Sequence, residues 1–448
     1  MCPGFIKLTG MLIMKFGGTS VGTPLRIREV GRLISDPTPK IVVLSAMSGT
    51  TNDLVTYAEY LYKKDRINAK LFLDSVQTRY LAVVDELFEG PEYRSIGKKL
   101  IDSHFTHLSE FNQDLFTQYE EKAVLSQGEL ISSALMHYHL TEMGVENVLV
   151  PALNFMRIDK DQEPDNYYIS QNLRRELSEH PGCHLFITQG FICRNAYGEI
   201  DNLKRGGSDY SASIIGAAID SDEIQIWTDI DGFHNNDPRF VKDTRRIDRL
   251  SFSEAAELAY FGAKILHPTS VRPAQDKNIP VRLKNTMSPD SPGTLITGET
   301  SGSGMKAVAA KDGITALRVH SDRMLLAFGF LRKVFEIFEN HRTSIDMIAT
   351  SEVSVSMTID NTQHLEEIIH DLESYGTVEI VPNQSIICVV GDMIADSKGM
   401  AVQVLEALKD IPIRMISYGS SNNNISLLIR TGDKKEALNS LSNHLFRN

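Results

Sequence analysis

The sequence has few cysteines and no recognisable metal-binding spacing. Its four cysteines form no Cys-x-x-Cys pair and are scattered, at Cys2, Cys183, Cys193 and Cys388. This distribution favours reduced, mostly buried thiols over disulfides or a zinc site. No His-Glu-x-x-His spacing occurs, and His137 and His139 stand two positions apart on a predicted helix, where they face different directions. The sequence therefore predicts no metal site built from protein side chains.

Long apolar runs are also lacking. No stretch approaches the roughly 18 residues needed to cross a bilayer, and residues 1–10 lack the apolar core of a signal peptide. We therefore expect a cytoplasmic protein with no membrane partner. Residues 1–10 match no pattern, so a disordered tail and initiation at Met11 both remain open.

Positive charge is in deficit. The chain has 46 Lys and Arg against 58 Asp and Glu, which gives a formal net charge of -12. This balance argues against a general nucleic-acid-binding surface, so an anionic substrate must be met by local Lys and Arg. The length of 448 residues allows two or three domains, each with its own core.

From residue 11 to about 285, short runs of apolar and β-branched residues alternate with amphipathic helical stretches. The predicted strands lie at 11–14, 41–44, 148–150, 184–188 and 223–227. This alternation predicts an α/β domain with a largely parallel sheet covered by helices. Ligands bind beyond the carboxyl ends of the strands in such sheets.

A turn-rich segment at 287–304 is the predicted linker, and an internal repeat follows it. Gly329, Val334, Phe335 and Phe338 recur seventy residues later as Gly399, Val404, Leu405 and Leu408. Each copy is predicted to be a helix that leads into a strand hairpin, followed by a second helix at 363–375 or 434–445. The repeat therefore predicts two small α+β modules.

Two glycine turns stand at predicted helix starts. Lys15-Phe16-Gly17-Gly18-Thr19 follows the first apolar run, with a helix predicted near Pro24, and 202–210 places Arg205, two glycines and Asp209 before a helix predicted at 210–218. Glycines let the backbone approach an anion, and lysine supplies positive charge. Together the turns favour a polyphosphate or two-anion site over unrelated loops.

Two further motifs leave alternatives open. The first is Trp227-Thr228-Asp229-Ile230-Asp231-Gly232, followed by Asn236-Asp237-Pro238-Arg239. Its carboxylates are suited to binding a metal or a ribose, but Asp-Gly and Asp-Pro are equally common in ordinary turns. In the stretch 261–268, Phe-Gly-Ala-Lys-Ile-Leu-His-Pro, burial of Lys264 would require an anionic partner, and a solvated lysine is the alternative.

These motifs, together with Gly128-Glu129, occur in one order that resembles the aspartate kinase family, and the repeats resemble its paired C-terminal ACT domains. The resemblance covers nearly the whole chain. It implies a three-layer α/β/α amino-acid-kinase domain followed by two ferredoxin-like α+β regulatory domains. The implied ranges are 11–290 for the catalytic domain, 291–312 for a linker and first regulatory strand, and 313–382 and 383–448 for the ACT domains.

The resemblance implies transfer of the ATP γ-phosphoryl group to the side-chain carboxylate of L-aspartate, with Mg²⁺, as the first step of lysine, threonine and methionine biosynthesis. The implied catalytic residues are Lys15 and Asp209. The implied aspartate-binding residues are Thr51, Glu129, Arg205 and Ser208. The implied ATP-binding residues are Lys15, Phe16, Gly17, Gly18, Thr228, Asp229, His234, Arg239 and Lys264.

The chain departs from the family at Lys204, where glycine is common, and at His234, where tyrosine is common. The first repeat resembles the inhibitor-binding segment of lysine-sensitive members, which implies lysine as effector at Met324, Ser344, Asp346, Thr350 and Glu352. Apolar Leu326 and Ala327 replace polar residues usual there. A homodimer through the ACT domains is expected, with a tetramer as the alternative.

Two other functions remain open at this point. A kinase for another small carboxylate would share the fold but need a different partner for the α-ammonium group. Alternatively, an ACT-containing amino-acid sensor would have lost the chemistry, although retention of Lys15, Arg205 and Asp209 speaks against it. For Glu129, a solvated residue at a helix start is the alternative to a substrate ligand.

Overall fold

The chain forms two compact units. The computed structural model describes residues 10–112, 115–203, 206–262, 266–299, 304–324, 328–392 and 394–446. The first unit comprises Met1–Gly232 with Leu266–Gly298, and the second comprises Phe233–Ile265 with Glu299–Asn448. No helix within the described ranges is long and apolar enough to cross a membrane.

The secondary structure mixes strands and helices along the whole chain. The strands are β1 Leu12–Phe16, β2 Lys40–Leu44, β3 Val148–Leu149, β4 Leu185–Gln189, β5 Ile192–Arg194, β6 Ile200–Asn202, β7 Glu223–Thr228, β8 Arg249–Ser251, β9 Val281–Asn285, β10 Thr294–Thr297, β11 Gly304–His320, β12 Ile348–Thr350, β13 Ser354–Ile359, β14 Thr377–Asp392, β15 Met415–Tyr418 and β16 Asn424–Arg430. The helices are α1 Pro24–Ile34, α2 Thr50–Tyr62, α3 Arg66–Leu87, α4 Pro91–Glu110, α5 Gln118–Glu142, α6 Ala152–Phe155, α7 Asn166–Ser178, α8 Gly207–Ile219, α9 Phe252–Tyr260, α10 Arg272–Asp276, α11 Phe330–Asn340, α12 Leu365–Glu373, α13 Met400–Ala407 and α14 Lys434–Leu445.

The first unit contains the predicted parallel sheet. The strands that belong to this unit follow the order β3-β4-β2-β1-β7-β9-β10, and every pairing from β3 to β9 is parallel. All five residues of β2 are buried, as expected for a strand covered on both faces. Because these strands run in one direction, their carboxyl ends meet at one edge, where Phe16 pairs with both Leu44 and Trp227. The predicted α/β architecture is confirmed.

Helix starts in this unit follow from capping. Helix α1 begins at Pro24, as predicted, and the Thr23 side chain accepts a hydrogen bond from the Arg26 backbone N–H. The predicted start of α8 at Tyr210 was wrong by three residues. Gly206, with φ of 71°, forms the N-cap and places Ser208 and Asp209 in the first helical turn.

The predicted linker at 287–304 contains a strand that the sequence analysis missed. Strand β10 pairs antiparallel with β9, so the turn formers before it close a hairpin. Gly293 has φ of 69°, and a Cβ there would lie 1.8 Å from the Leu283 carbonyl oxygen. A residue without a side chain is therefore required where the hairpin closes.

The second unit is built on an antiparallel sheet with the order β12-β13-β11-β14-β16-β15. The long strands β11 and β14 pair along most of their length and take part in two separate hydrophobic cores. Leu317 and Val319 on β11 pack with α11 and α12, whereas Val308 on the same strand packs with α13 and α14. The two regulatory modules are thus threaded through shared strands.

The predicted internal repeat is confirmed at the level of backbone geometry. Gly329 and Gly399 are the N-caps of α11 and α13, with φ of 81° and 80°. Val334 and Val404 are both fully buried, each in its own core. In both copies, therefore, a glycine in the left-handed conformation forms the N-cap of the helix.

Residues that follow Gly232 pack within the second unit, although the predicted catalytic range 11–290 contains them. Val241 lies in the core with α13 and α14. The Asn236 side-chain amide donates to the Leu438 carbonyl oxygen at 2.9 Å, and the Val308 N–H donates to the Asn235 carbonyl oxygen at 2.9 Å. The segment is thereby held by the regulatory modules.

Candidate functional site

The first turn and the start of α8 meet through an ion pair. Lys15 on β1 places its Nζ 2.6 Å from Oδ1 of Asp209, and the two side chains are only 11% and 16% exposed. Partial burial strengthens such a pair because less water screens it. Asp209 therefore fixes the position of the Lys15 ammonium.

The two glycines after β1 differ in how tightly they are packed. A Cβ on Gly18 would lie 3.0 Å from the Ala46 carbonyl oxygen, whereas on Gly17 the nearest atom would be Nζ of Lys15 at 3.5 Å. The Phe16 side chain is fully buried and stacks on Trp227, with ring centroids 5.6 Å apart. Phe16 can therefore offer a ligand only its backbone.

A cavity of about 330 Å³ opens at the carboxyl edge of the sheet. Its walls come from the turn after β1, the loop after β2, the start of α2, the middle of α5 and the start of α8. The lining residues are Gly18, Ser45, Ala46, Met47, Ser48, Gly49, Thr51, Asn52, Glu129, Phe191, Gly207 and Ser208. The cavity thus collects Thr51, Glu129 and Ser208, three of the four predicted aspartate-binding residues, while Arg205 lies outside the described residues.

Glu129 is the most unusual group in this cavity wall. It lies in the middle of α5 and is only 4% exposed, so the alternative of a solvated residue at a helix start was wrong. Its Oε1 accepts a hydrogen bond from the Ala46 N–H at 3.2 Å, and its Oε2 is buried without a partner among the described residues. Burial raises the pKa of Glu129 to about 7. A cationic ligand group would stabilise the charged form.

Ser208 and Thr51 present hydroxyl groups to the same cavity. The Ser45 hydroxyl donates to Ser208 Oγ at 2.9 Å. A Cβ on Gly190 would lie 2.4 Å from the Ser208 Cβ, so glycine at this position lets α8 start close to the end of β4. Thr51 lies in the first turn of α2 and is exposed.

The predicted ATP-binding residues beyond the first turn fall in both units. In the first unit, Thr228 ends β7 and its hydroxyl donates to Oδ1 of the exposed Asp229 at 3.1 Å. In the second unit, Nδ1 of His234 lies 2.9 Å from Thr244 Oγ1. The Arg239 side chain is 76% exposed and bonds the Asp237 carboxylate through Nε and a terminal nitrogen.

Lys204 and Lys264 lie outside the described residues, so the structure does not place these two predicted positions. Among the residues it describes, no group of three or more His, Cys, Asp or Glu side chains is arranged to hold a metal ion. Cys183, Cys193 and Cys388 are free thiols, and burial raises the pKa of each.

The predicted effector residues lie in the second unit and differ in exposure. Met324 is half-buried against the core under α11 and α12, whereas Ser344, Thr350 and Glu352 are exposed. The Asp346 side chain is fully buried and already bonds Lys311 and Tyr260. One carboxylate oxygen of Asp346, Oδ1, is therefore already occupied, whereas Oδ2 is buried without a partner among the described residues.

Sequence reasoning missed most of the loop after β2. Ser45, Ala46, Ser48 and Gly49 line the cavity, and the Ala46 backbone binds Glu129. These residues could have been found from their position in the sequence, because they directly follow an apolar run that ends at the ligand-binding edge of a parallel sheet. Gly190 and Phe191 follow β4 in the same way.

Comparison with known proteins agrees with this architecture. The model of the amino acid kinase family matches residues 10–285, and a model of the ACT domain matches residues 387–445. Lysine-sensitive aspartokinase 3 of Escherichia coli (strain K12) is 32% identical to this chain over 98% of it and over 100% of the relative.

Solved structures of aspartokinase III from E. coli are similar over their whole length. The complex with aspartate and ADP, called the R-state, is 33% identical with a TM-score of 0.83, and covers 98% of this chain and 100% of its own. The complex with lysine and aspartate, called the T-state, is 32% identical with the same TM-score and coverage. This chain therefore belongs to the amino acid kinase family, as a member of its aspartokinase branch.

Proposed function

We propose that this chain transfers the γ-phosphoryl group of ATP to the side-chain carboxylate of L-aspartate, giving 4-phospho-L-aspartate and ADP. The observation that carries the proposal is the buried Glu129, whose second oxygen has no partner among the described residues. A cavity with such a carboxylate fits a small amino acid whose ammonium group completes the pairing.

The chemistry needs charge neutralisation more than proton transfer. The aspartate side chain, with an ordinary pKa of about 3.9, is already ionised at neutral pH, so no general base is required. A carboxylate oxygen forms the bond to the γ-phosphorus, the bond to the β,γ-bridging oxygen breaks, and ADP leaves with that electron pair. Lys15, held by Asp209, offsets the repulsion between the two anions.

Substrate orientation follows from the remaining groups. Glu129 pairs with the α-ammonium group, and Thr51 and Ser208 offer hydroxyl hydrogen bonds. By resemblance, the guanidinium of Arg205 holds the α-carboxylate, for which its planar fork is suited. Fixing both α-groups points the side-chain carboxylate in one direction, which favours the reaction by orientation.

For the nucleotide, we assign Lys15, Phe16, Gly17, Gly18, Thr228, Asp229, His234, Arg239 and Lys264 as ATP-binding positions. Gly17 leaves room for close approach of a phosphate, and Phe16 contributes its backbone. Mg²⁺, as part of the MgATP substrate, would neutralise phosphate charge, and the described residues supply no cluster of carboxylates to hold it.

L-Lysine is the proposed effector, with Met324, Ser344, Asp346, Thr350 and Glu352 as its site. The exposed Glu352 and the buried Asp346 supply carboxylates for the two ammonium groups of lysine. The E. coli relative is itself named lysine-sensitive, which supports this choice. Lysine inhibits only if it binds one conformation of the enzyme better than another.

We also propose a homodimer joined through the regulatory sheets, in the cytoplasm, with a tetramer as a further assembly. The outer strands of the second sheet support the assembly, because Ile348 on β12 and Ile416 and Tyr418 on β15 are 38%, 44% and 41% exposed. The scattered free thiols support a reducing compartment.

The test is ATP-dependent formation of an acyl phosphate, trapped with hydroxylamine. We expect hydroxamate with L-aspartate and far less with L-glutamate, whose extra methylene moves the carboxylate. Lys15→Ala should lower the rate by about 10²-fold or more, because it removes a transition-state charge. Equal rates with glutamate would contradict the assignment of substrate, and an undiminished Lys15→Ala rate would contradict the role of Lys15.

A further inference from the structure

The first turn of α2 forms part of the cavity wall, yet it begins with a glycine. Gly49 is the N-cap, with φ of 86°, and it has no side chain that could accept a hydrogen bond from the first backbone N–H groups. Thr51 and Asn52 follow in this turn, and both line the cavity. The position of these two residues therefore depends on contacts that other elements make with the start of α2.

Helix α3 supplies two such contacts from consecutive residues. The hydroxyl oxygens of Tyr80 and Thr50 lie 2.5 Å apart in a buried hydrogen bond. Arg79 pairs with the carboxylate of Asp53 in the same turn of α2. We call these four residues the α3 clamp. Tyr80 and Thr50 are only 2% and 3% exposed, whereas the Arg79 side chain is 54% exposed, so water screens the ion pair and the hydroxyl pair is the stronger half of the clamp.

Helix α5 packs against the other side of Thr50. A Cβ on Gly128 would lie 3.2 Å from Cγ2 of Thr50 and 2.7 Å from the Cβ of Ala46, so α5 approaches both the start of α2 and the loop after β2 closely. Glu129 is the next residue of α5 and lines the same cavity. Thr50 therefore lies between Tyr80 and the helix that carries Glu129.

The surroundings of Tyr80 keep its hydroxyl in place and protonated. Its ring packs against that of Phe105 on α4, with centroids 5.8 Å apart and planes inclined by 54°. Burial raises the pKa of Tyr80 to about 12, so the hydroxyl keeps its proton near neutral pH. The bond to Thr50 is therefore present across the whole range in which Glu129 titrates.

We propose that Tyr80 is a positioning residue for the amino-acid substrate. Through Thr50 it fixes the first turn of α2, and it thereby holds Thr51 and Asn52 in the wall that they share with Glu129. The proposal rests on the proposed function in one place, the assignment of Thr51 to aspartate. Tyr80 is buried behind the wall, so it acts on the substrate only through the helix start that it holds.

Loss of this hydrogen bond should affect aspartate more than ATP. A freed first turn spends part of its time in positions from which Thr51 cannot reach the substrate, and the apparent affinity falls in proportion to the competent fraction. The ATP-binding residues assigned in the first unit follow β1 or lie at the end of β7, on other elements. A change confined to aspartate therefore distinguishes positioning from a general loss of stability.

Hydrogen exchange in the ligand-free protein tests the clamp without any substrate. In Tyr80→Phe, the backbone amides at the start of α2 should exchange about fivefold faster, because one buried hydrogen bond no longer opposes local opening. Thr50→Val removes the other hydroxyl with little change of shape and should have the same effect. Mass spectrometry of the peptide that spans the start of α2 gives the rate. An unchanged rate in both folded variants overturns the clamp.

Tyr57→Phe is the matched control. Tyr57 lies further along α2, is equally buried, and donates its hydroxyl to the Leu108 carbonyl oxygen at 2.8 Å. The substitution therefore removes a buried tyrosine hydrogen bond from the same helix but not from its first turn. Exchange at the start of α2 should remain that of the wild type.

Steady-state kinetics test whether the clamp positions the substrate. Tyr80→Phe should raise KM for aspartate about fivefold and leave KM for MgATP unchanged, whereas Tyr57→Phe should change neither. The double variant Tyr80→Phe/Thr50→Val should be no worse than either single variant, because both substitutions remove the same bond. A normal KM for aspartate, equal rises in both KM values, or additive losses in the double variant would each overturn the positioning role.

Failure of the proposed function gives a different result. If the wild type forms no acyl phosphate from aspartate, the proposed reaction is wrong, while the exchange rates still decide whether Tyr80 holds the start of α2. Circular dichroism checks that each variant is folded. If Tyr80→Phe does not fold, Thr50→Val decides both measurements.

Discussion

At the scale of single residues, the site contrasts two buried charges. Lys15 has a carboxylate partner at 2.6 Å, so its ammonium is fixed before substrate arrives. Glu129 has one backbone donor and one unpartnered oxygen. Removing a carboxylate from water is costly unless a cation accompanies it, and this cost raises the pKa of Glu129 in the unliganded cavity to about 7.

This contrast predicts how aspartate binding depends on pH. Because the pKa of Glu129 is raised to about 7 and the ammonium group pairs with the ionised form, KM for aspartate should fall as pH rises. From pH 6 to pH 8 we expect a decrease of about tenfold, since the ionised fraction rises by that factor. Steady-state kinetics across this range provide the measurement.

The controls for this prediction are isosteric. Glu129→Gln should raise KM for aspartate and remove its pH dependence, whereas Glu121→Gln, near the start of the same helix, should preserve both. A KM in Glu129→Gln that still falls with pH would assign the titration to another group.

The raised pKa of Glu129 also affects stability, because the folded state holds the Glu129 proton more tightly than the unfolded chain. The contribution of the Glu129 proton to the free energy of unfolding is therefore present below about pH 4.5 and is lost as pH rises towards 7.

The Lys15–Asp209 pair makes a separate prediction. Asp209→Asn keeps the shape but removes the charge that orients Lys15, so kcat should fall by about 10- to 100-fold with little change in KM for aspartate. Asp220→Asn is the control at the other end of α8, where Asp220 pairs with Lys277 on the surface. A kcat for Asp209→Asn equal to that of the control would show that Lys15 needs no orienting partner.

At the scale of elements, the geometry of the site depends on the close approach of the start of α8 to the end of β4. Gly190 permits this contact, since a Cβ would lie 2.4 Å from the Ser208 Cβ and 2.8 Å from its Cα. Helix α8 carries Ser208 and Asp209 in its first turn. Any shift of this helix start therefore moves both the cavity wall and the partner of Lys15.

We expect Gly190→Ala to lower kcat/KM for aspartate by about 10²-fold, because a displacement near 1 Å at a catalytic group has effects of that size. Gly432→Ala is the control, since a Cβ there would meet nothing within 4 Å. Thermal unfolding monitored in parallel separates loss of activity from loss of the fold. Normal kinetics in Gly190→Ala would show that α8 can move without affecting the site.

The elements also show what the sequence could predict. Strand β2 was predicted because buried parallel strands are short, continuous apolar runs. The start of α8 was misplaced because no pattern in the sequence predicts that Gly206 adopts a left-handed conformation and forms the N-cap. The burial of Glu129 was not visible at all, since it results from the loop after β2 packing on α5.

At the scale of the whole molecule, the two regulatory modules share strands, so one continuous strand contributes to the cores of both. Strands β11 and β14 contribute to both hydrophobic cores of the second unit. The repeat in the sequence predicted two modules, but not that the first is inserted in the chain between the parts of β11 and β14 that belong to the core of the second. Periodicity reports local elements, whereas strand sharing depends on pairings between residues far apart in the chain.

Shared strands predict cooperative unfolding of the two modules. Val334→Ala and Val404→Ala remove equivalent buried side chains, one from each core. Each should lower the free energy of unfolding by about 2 kcal/mol, from lost burial and an unfilled cavity. Calorimetry should show the same transition shifted in both variants. Independent shifts of two resolved transitions would mean that the cores unfold separately.

In the proposed mechanism, Glu129 recognises the α-ammonium group of aspartate. The most direct measurement compares ATP-dependent acyl phosphate formation from L-aspartate with that from succinate, which lacks this group, in the wild type and in Glu129→Gln. We expect a strong preference for aspartate in the wild type that is largely lost in the variant. An undiminished preference in Glu129→Gln would contradict it.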